Sequence, residues 1–239
     1  MAEATQDTSK ESQTPKVVTA QPSASIVLID RSGAEPRVLL GRRDLSLVFL
    51  PGKYAFPGGR LEADDAVMQA SGALDARSAA RLSLQRPSPS PPPQAFALAA
   101  IRELFEETGL LLGTQFVEKV ASVPPAWQDF VAHGLMPDLA SLSFCCRAIT
   151  PPHFPRRFDT SFFLADASAI AHRIDGHVGE DKELIELIWL SRKEAEKRDI
   201  SRVTAMILSE LDTMMDVLSL DRPVPFFHAR EQRWIREEL

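Results

Sequence analysis

Cysteine is nearly absent from this chain. Its only two, Cys145 and Cys146, are adjacent in the 239-residue sequence. In a strand neighbouring side chains point to opposite faces, so the pair reads as reduced thiols in a reducing compartment and not as a disulfide framework. No apolar run approaches the length of a membrane span, which argues against a membrane protein. The N-terminus lacks a hydrophobic segment, and Glu3 and Asp7 fit neither a secretory nor a mitochondrial signal, so the expected location is cytoplasmic. Positive charge is also short. Lys and Arg number 27 against 33 Asp and Glu, for a net charge of −6 and a pI near 5.5. That balance excludes a protein that grips duplex nucleic acid by its backbone. It leaves room for a small anionic substrate, provided metal ions mask the local carboxylates. The five histidines, His133, His153, His172, His177 and His228, show no zinc-ligand spacing, and no serine sits in a nucleophile-elbow pattern.

What the sequence does contain is ordinary for a globular protein: 44% hydrophobic and 25% charged residues. The length suits one sizeable domain. Residues 1–21 are polar and read as a disordered tail, leaving 22–239 as a single domain. Ala24-Ser25-Ile26-Val27-Leu28-Ile29 and Arg37-Val38-Leu39-Leu40 predict two strands joined by the Asp30-Arg31-Ser32-Gly33 turn. Tyr54-Ala55-Phe56 predicts a short strand running into Pro57-Gly58-Gly59. From about 66 to 93 the composition shifts to Ala, Ser, Arg and Pro. A short helix fits its start, and the proline run predicts an extended surface connection. A helix follows from about Gln94 to Thr108, with Gly109 as its stop. Ala126 to Val131, Ser191 to about Arg198 and Val203 to about Leu218 predict further helices. Phe144 to Ile149, Thr160 to Ala165 and Leu184 to Leu190 predict strands. The last segment, with Phe226, Phe227 and Trp234, folds back on the domain or meets a second subunit, so a homodimer is open. Strands and helices interleave without strict alternation. The fold class expected is α/β or α+β, a mixed sheet between helices.

The stretch Arg102-Glu103-Leu104-Phe105-Glu106-Glu107-Thr108-Gly109-Leu110 carries the chemistry. At about 100° per residue, Ala97, Leu98, Ile101, Leu104 and Phe105 share one stripe, and Glu103, Glu106 and Glu107 face the opposite way. Arg102 falls to one side. Like charges at this spacing repel by up to about half a kcal/mol per pair on an exposed helix. Either the trio is a solvated acidic face, or a hard divalent cation sits among the carboxylates and relieves the repulsion. The glycine pair Gly58-Gly59 upstream, alone a turn, favours the second reading because glycine also marks close approach of backbone to another group.

Together these residues resemble the Nudix hydrolase superfamily. Its box reads Gly, five residues, Glu, seven residues, then Arg-Glu-apolar-x-Glu-Glu-x-Gly-apolar. Gly59 matches the first position and Arg102 through Leu110 match the last nine. The chain departs from the pattern twice: Asp65 stands for the first Glu, and residues 66–101 replace the seven that follow it. A long excursion costs only logarithmically in closure entropy, so loop and helix can still meet. Asp65 would keep the acid's salt-bridge role with a shorter reach.

The resemblance covers about Ser23 to Trp189 and implies the Nudix fold and cleavage of a diphosphate bond in a nucleoside diphosphate linked to another group. It implies Mg2+ or Mn2+ held by Glu103, Glu106, Glu107 and the Gly58 carbonyl, with Glu103 also placed to help activate water. Arg102 would orient a helix carboxylate, and Glu183, with Glu180 second, would be the general base or an extra ligand. Leu39-Leu40-Gly41-Arg42-Arg43 through Gly52 to Phe56-Pro57-Gly58-Gly59 keeps the spacing of the coenzyme A diphosphatase branch. Gly41, Asp44 and Val48 depart from it. Arg43, Arg156, Arg157 and Gly59 are the substrate-binding candidates this implies. The alternatives are a nucleotide-sugar or ADP-ribose diphosphatase, or a Nudix-fold module that binds a nucleotide without cleaving it.

Overall fold

The computed structural model describes residues 18–116, 122–215, 223–231 and 233–239. Most of the expected tail, 1–17, and the end of the helix expected to reach Leu218 lie outside the described residues. The chain runs β1 (Gln21–Asp30), β2 (Arg37–Arg43), β3 (Tyr54–Ala55), β4 (Gly58–Arg60), α1 (Ala76–Leu82), α2 (Pro93–Thr108) and β5 (Leu110–Gln115). It continues through α3 (Gln128–Ala132), β6 (Leu135–Pro137), β7 (Ser143–Ile149), β8 (Phe158–Asp166), β9 (Ile170–Arg173), β10 (Leu184–Leu190), α4 (Arg192–Ala195), α5 (Arg202–Met215), β11 (Pro225–Arg230) and β12 (Arg233–Glu238).

The large sheet has the order β10-β2-β1-β8-β7-β11-β12, with β3 and β4 pairing β2 and β1. Its centre is the parallel pair β1 and β8, in register from Gln21 against Phe158 to Ile29 against Asp166. Most other pairs are antiparallel, so the sheet is mixed. A smaller sheet joins β6, β5 and β9. Ala24, Ile26 and Leu28 of β1 point into a cluster with Phe96, Ala97, Ala100, Ile101 and Leu104 of α2. Val27 and Ile29 point the other way, toward Ile207, Leu208 and Leu211 of α5. Side chains alternate across a strand, so one covered by helices on both faces has to read as a continuous apolar run. Truncating Ile26, which is fully buried, to Ala would remove about 2–5 kcal/mol.

Two expectations change. The proline-rich excursion is not merely a surface connection. Asp75 caps α1 by accepting from Ser78 N, Ser78 Oγ accepts from Phe144 N at 3.0 Å, and Leu82 is buried. Arg86 follows, stacking 4.0 Å over Phe96 and meeting Asp159 at 3.2 Å, while Arg147 donates to the Leu84 and Gln85 carbonyls. The insertion is therefore stitched to β7, β8 and α2. Cys145 and Cys146 do not face opposite sides: a register shift between Phe144 and Cys146 puts both in the cluster under α5, because a bulge breaks the two-residue alternation. The C-terminal segment folds back as the β11–β12 hairpin, with β11 parallel to β7. Charged residues of β12 guard the sheet edge it creates.

Candidate active site

The Gly58-Gly59 bend is clamped to β1, where Ile26 N and Ser25 Oγ both donate to the Pro57 carbonyl, at 3.0 and 2.7 Å. A side chain at Gly58 would run into the Ala24 carbonyl and Ser25, so only glycine lets the bend lie this close to the strand. Helix α2 crosses below, and its acidic side faces the bend. Gly58 N donates to Glu107 Oε2 at 3.0 Å. A Cβ built on Gly59 would stand 2.5 Å from the Glu103 carboxylate, so that carboxylate lies directly against the glycine.

Arg102 does not sit to one side of the acids but holds them together. It is 1% exposed, and Nη1 donates to Glu103 Oε1 and Glu106 Oε2, both at 2.9 Å. Nε and Nη2 grip Asp65 bidentately at 2.9 and 3.0 Å, and Nη2 also reaches the Arg60 carbonyl. Asp65, fully buried, accepts as well from Glu62 N at 2.8 Å and Trp127 Nε1 at 3.2 Å. The shorter acid in the box thus spans to the arginine from a 3-10 turn at Ala63–Ala66.

Neither is the acidic face simply solvated. Glu107 is buried and Glu103 nearly so, whereas Glu106 keeps 44% of its side chain exposed. Burial pushes the Glu103 carboxyl up to about 7 against the pull of Arg102, with Glu106 and Glu183 adding to the rise. Glu107 is pushed well up by burial, then by Glu103 and Glu183; Gly58 N–H and Arg43 oppose this. Glu106 is also raised, chiefly by burial. Burial opposes the Arg102 charge, but Asp65, Glu103 and Glu106 together hold its pKa above the ordinary value.

Arg43 and Glu183 come to the same place. Arg43 Nη1 lies 2.9 Å from Glu183 Oε1 and 4.0 Å from Glu107 Oε1, while Nε donates to the Phe49 carbonyl. Glu180 is exposed. Arg157 donates instead to the Thr150 and Val18 carbonyls, and Arg156 is exposed between β7 and β8; neither joins the carboxylates. A separate polar hollow lined by Asp30, Glu35, Arg37 and Glu194 contains no box residue. Trp127 escaped the sequence reading because no local pattern ties it to Asp65, 62 positions away.

Among the described residues, no three His, Cys, Asp or Glu side chains are gathered as a ready cation cage. Guanidiniums of Arg102 and Arg43 stand between the carboxylates. The donor set still fits a hard dication: three carboxylates whose protons are held too tightly by burial and mutual repulsion, beside a glycine bend. A double charge would relieve the same strain that raises their pKa values.

No family model matches the chain. Over 152 residues it is 28% identical to the Caenorhabditis elegans protein described as "Putative nudix hydrolase 7". That match covers 59% of this chain and 43% of the relative, so the chain spans less than half the relative's length. The crystal structure of a NUDIX hydrolase from Alicyclobacillus acidocaldarius superposes with a TM-score of 0.62 at 28% identity, covering 85% of this chain and 99% of that one. The fold is therefore that of the Nudix hydrolases, and a described nudix hydrolase is also what the chain resembles in sequence.

Proposed function

We propose that this chain is a metal-dependent diphosphohydrolase that cleaves the diphosphate bond of a nucleoside diphosphate linked to another moiety. The observation that carries the reading is the convergence of Glu103 and Glu107 on the Gly58-Gly59 bend, with Arg102 tying Glu106 to Glu103 and Asp65 fixing that arginine beneath. Residues that would hold Mg2+ or Mn2+ are Glu103, Glu106 and Glu107, with the Gly58 carbonyl beside them. When bound, such an ion neutralises diphosphate oxygens and lowers the pKa of a coordinated water.

The remaining work falls to the chain's own groups. Glu183 reaches the edge of the cluster from the β9–β10 loop and is half exposed, a place from which a carboxylate can take a proton from an attacking water. Arg43 neutralises Glu183 and Glu107 as the site stands and can turn toward a substrate phosphate. Arg102, buried and fully engaged, orients Glu103 and Glu106 without reaching substrate. Gly59 keeps the backbone close enough to leave room above Glu103.

The substrate class favoured is coenzyme A or its acyl derivatives. Support comes from the spacing of Leu39 to Gly59 and from Arg43 of that stretch lying at the box. Nucleotide sugars and ADP-ribose are the alternatives. The test is incubation with a panel of such compounds and Mg2+ or Mn2+. The expected result is two phosphorylated products, and hydrolysis in heavy-oxygen water then shows which phosphorus is attacked. Tight ligand binding with no turnover at any metal concentration would instead make the chain a nucleotide-binding module.

A further inference from the structure

The loop between β9 and β10, residues 174–183, delivers Glu183 to the site, and its hold on α2 is unusual in where it grips. Ile174 N donates to the Gly109 carbonyl at 2.9 Å, and at the far end Asp44 N donates to the Glu183 carbonyl at 3.0 Å. Between them, His177 Nδ1 lies 3.2 Å from the Glu106 backbone oxygen, and its ring packs 5.3 Å from that of Phe105. Carbonyls in the last turn of a helix lack intrahelical partners. Leu110 N, which would ordinarily close onto Glu106, donates instead to Thr108 Oγ1 at 3.2 Å. The Glu106 carbonyl is thereby left for the imidazole.

Gly109 supports the same contact. It is left-handed at φ 71°, and a Cβ there would strike the Ile174 carbonyl and press on the His177 ring at 3.0 Å. The glycine thus ends the helix and also leaves the space into which the loop settles. Just past His177, Gly179 N donates to the Leu184 carbonyl and Lys182 N to that of Gly179, a tight turn that transmits the loop's position to Glu183.

We infer that His177 is a positioning residue: by donating Nδ1–H to the Glu106 carbonyl it fixes the distance between the loop carrying Glu183 and the helix carrying the box acids. This rests on the reading of Glu183 as a participant in hydrolysis. A carbonyl oxygen only accepts, so the neutral ring carries its proton on Nδ1 and leaves Nε2 bare. Asparagine, whose amide N–H occupies the place of Nδ1–H, can replace the contact; glutamine and alanine cannot.

The experiment compares wild type with His177→Ala, His177→Asn, His177→Gln, Glu183→Gln and the His177→Ala/Glu183→Gln pair. Loosening a reacting group by a fraction of an ångström predicts a fall in kcat of about tenfold for His177→Ala and His177→Gln, with KM within about twofold and His177→Asn largely recovered. The double variant should be no slower than Glu183→Gln alone, because His177 acts through Glu183. Nitrogen-15 spectra of histidine-labelled protein should show the Nδ1–H tautomer at His177. Amide exchange across Val178 to Lys182 should quicken in His177→Ala and not in His177→Asn. The last two readouts need no turnover, so they stand even if no substrate is hydrolysed, which would refute the functional reading alone. An Nε2–H tautomer, an asparagine variant as impaired as alanine, or additive losses in the double variant would overturn the inference.

Discussion

Replacing Asp65 with Asn should be among the most damaging single changes to this fold. The Asp65 carboxylate is wholly buried and takes four hydrogen bonds: two from Arg102, one from Glu62 N and one from Trp127 Nε1. Asparagine keeps the shape but loses the charge and turns one acceptor into a donor facing other donors. Arg102 would then be left buried without its bidentate partner. Breaking a buried ion pair by removing one member costs about 3–5 kcal/mol. For a chain of this size that corresponds to a fall in Tm of about 6–20 °C. Urea unfolding followed by tryptophan fluorescence is the assay, since Trp127 touches the perturbed group. Asp65→Glu restores the acid usual in the box but forces a methylene into a packed site, for about 1–3 kcal/mol. A loss below about 1 kcal/mol for Asp65→Asn would show that the pair behaves like an exposed salt bridge, and the account of Arg102 as the buried clamp would be wrong.

Glu106→Gln and Glu107→Gln should each lower kcat by roughly a hundredfold or more, the scale of losing a group that stabilises developing charge, with folding retained; rates equal to wild type would misplace the site. Gly59→Ala puts a methyl 2.5 Å from the Glu103 carboxylate, the flexible end of a side chain. Its activity should drop at least about tenfold while stability changes by less than about 1 kcal/mol, and unaltered kinetics would contradict the contact. The pH dependence follows from Glu103, raised to about 7 in the fold. A raised carboxyl favours the protonated folded state, so its contribution is full below the unfolded pKa near 4.3 and is lost as pH rises through 7. The metal-free protein should lose about 3 kcal/mol over that window, less in Glu103→Gln, and added Mn2+ should restore it; a flat profile in thermal melts would refute the burial argument.

Much of this site was legible because a helix maps sequence spacing onto one face. The position of Glu103, Glu106 and Glu107 opposite the apolar stripe followed from periodicity alone, and Gly58-Gly59 announced a close approach. What periodicity could not convey was the third dimension. Glu103 and Glu107 are tucked against β4 while Glu106 stays half exposed, and Arg102 turns back between its own neighbours. Trp127, His177 and the docking of Arg86 depend on contacts across the chain for which a single sequence carries no local signal. The bulge at Cys145 and Cys146 and the pairing of β11 with β7 were hidden for the same reason, since tertiary packing decides both.

The most direct test of the central claim is the rate of diphosphate hydrolysis as Mn2+ or Mg2+ is titrated into wild type and Glu107→Gln, with coenzyme A, an ADP-sugar and ADP-ribose as substrates. The account predicts turnover that rises and saturates with metal in wild type and is nearly abolished in the variant. Equal rates in the two proteins, or hydrolysis that ignores the metal, would contradict it.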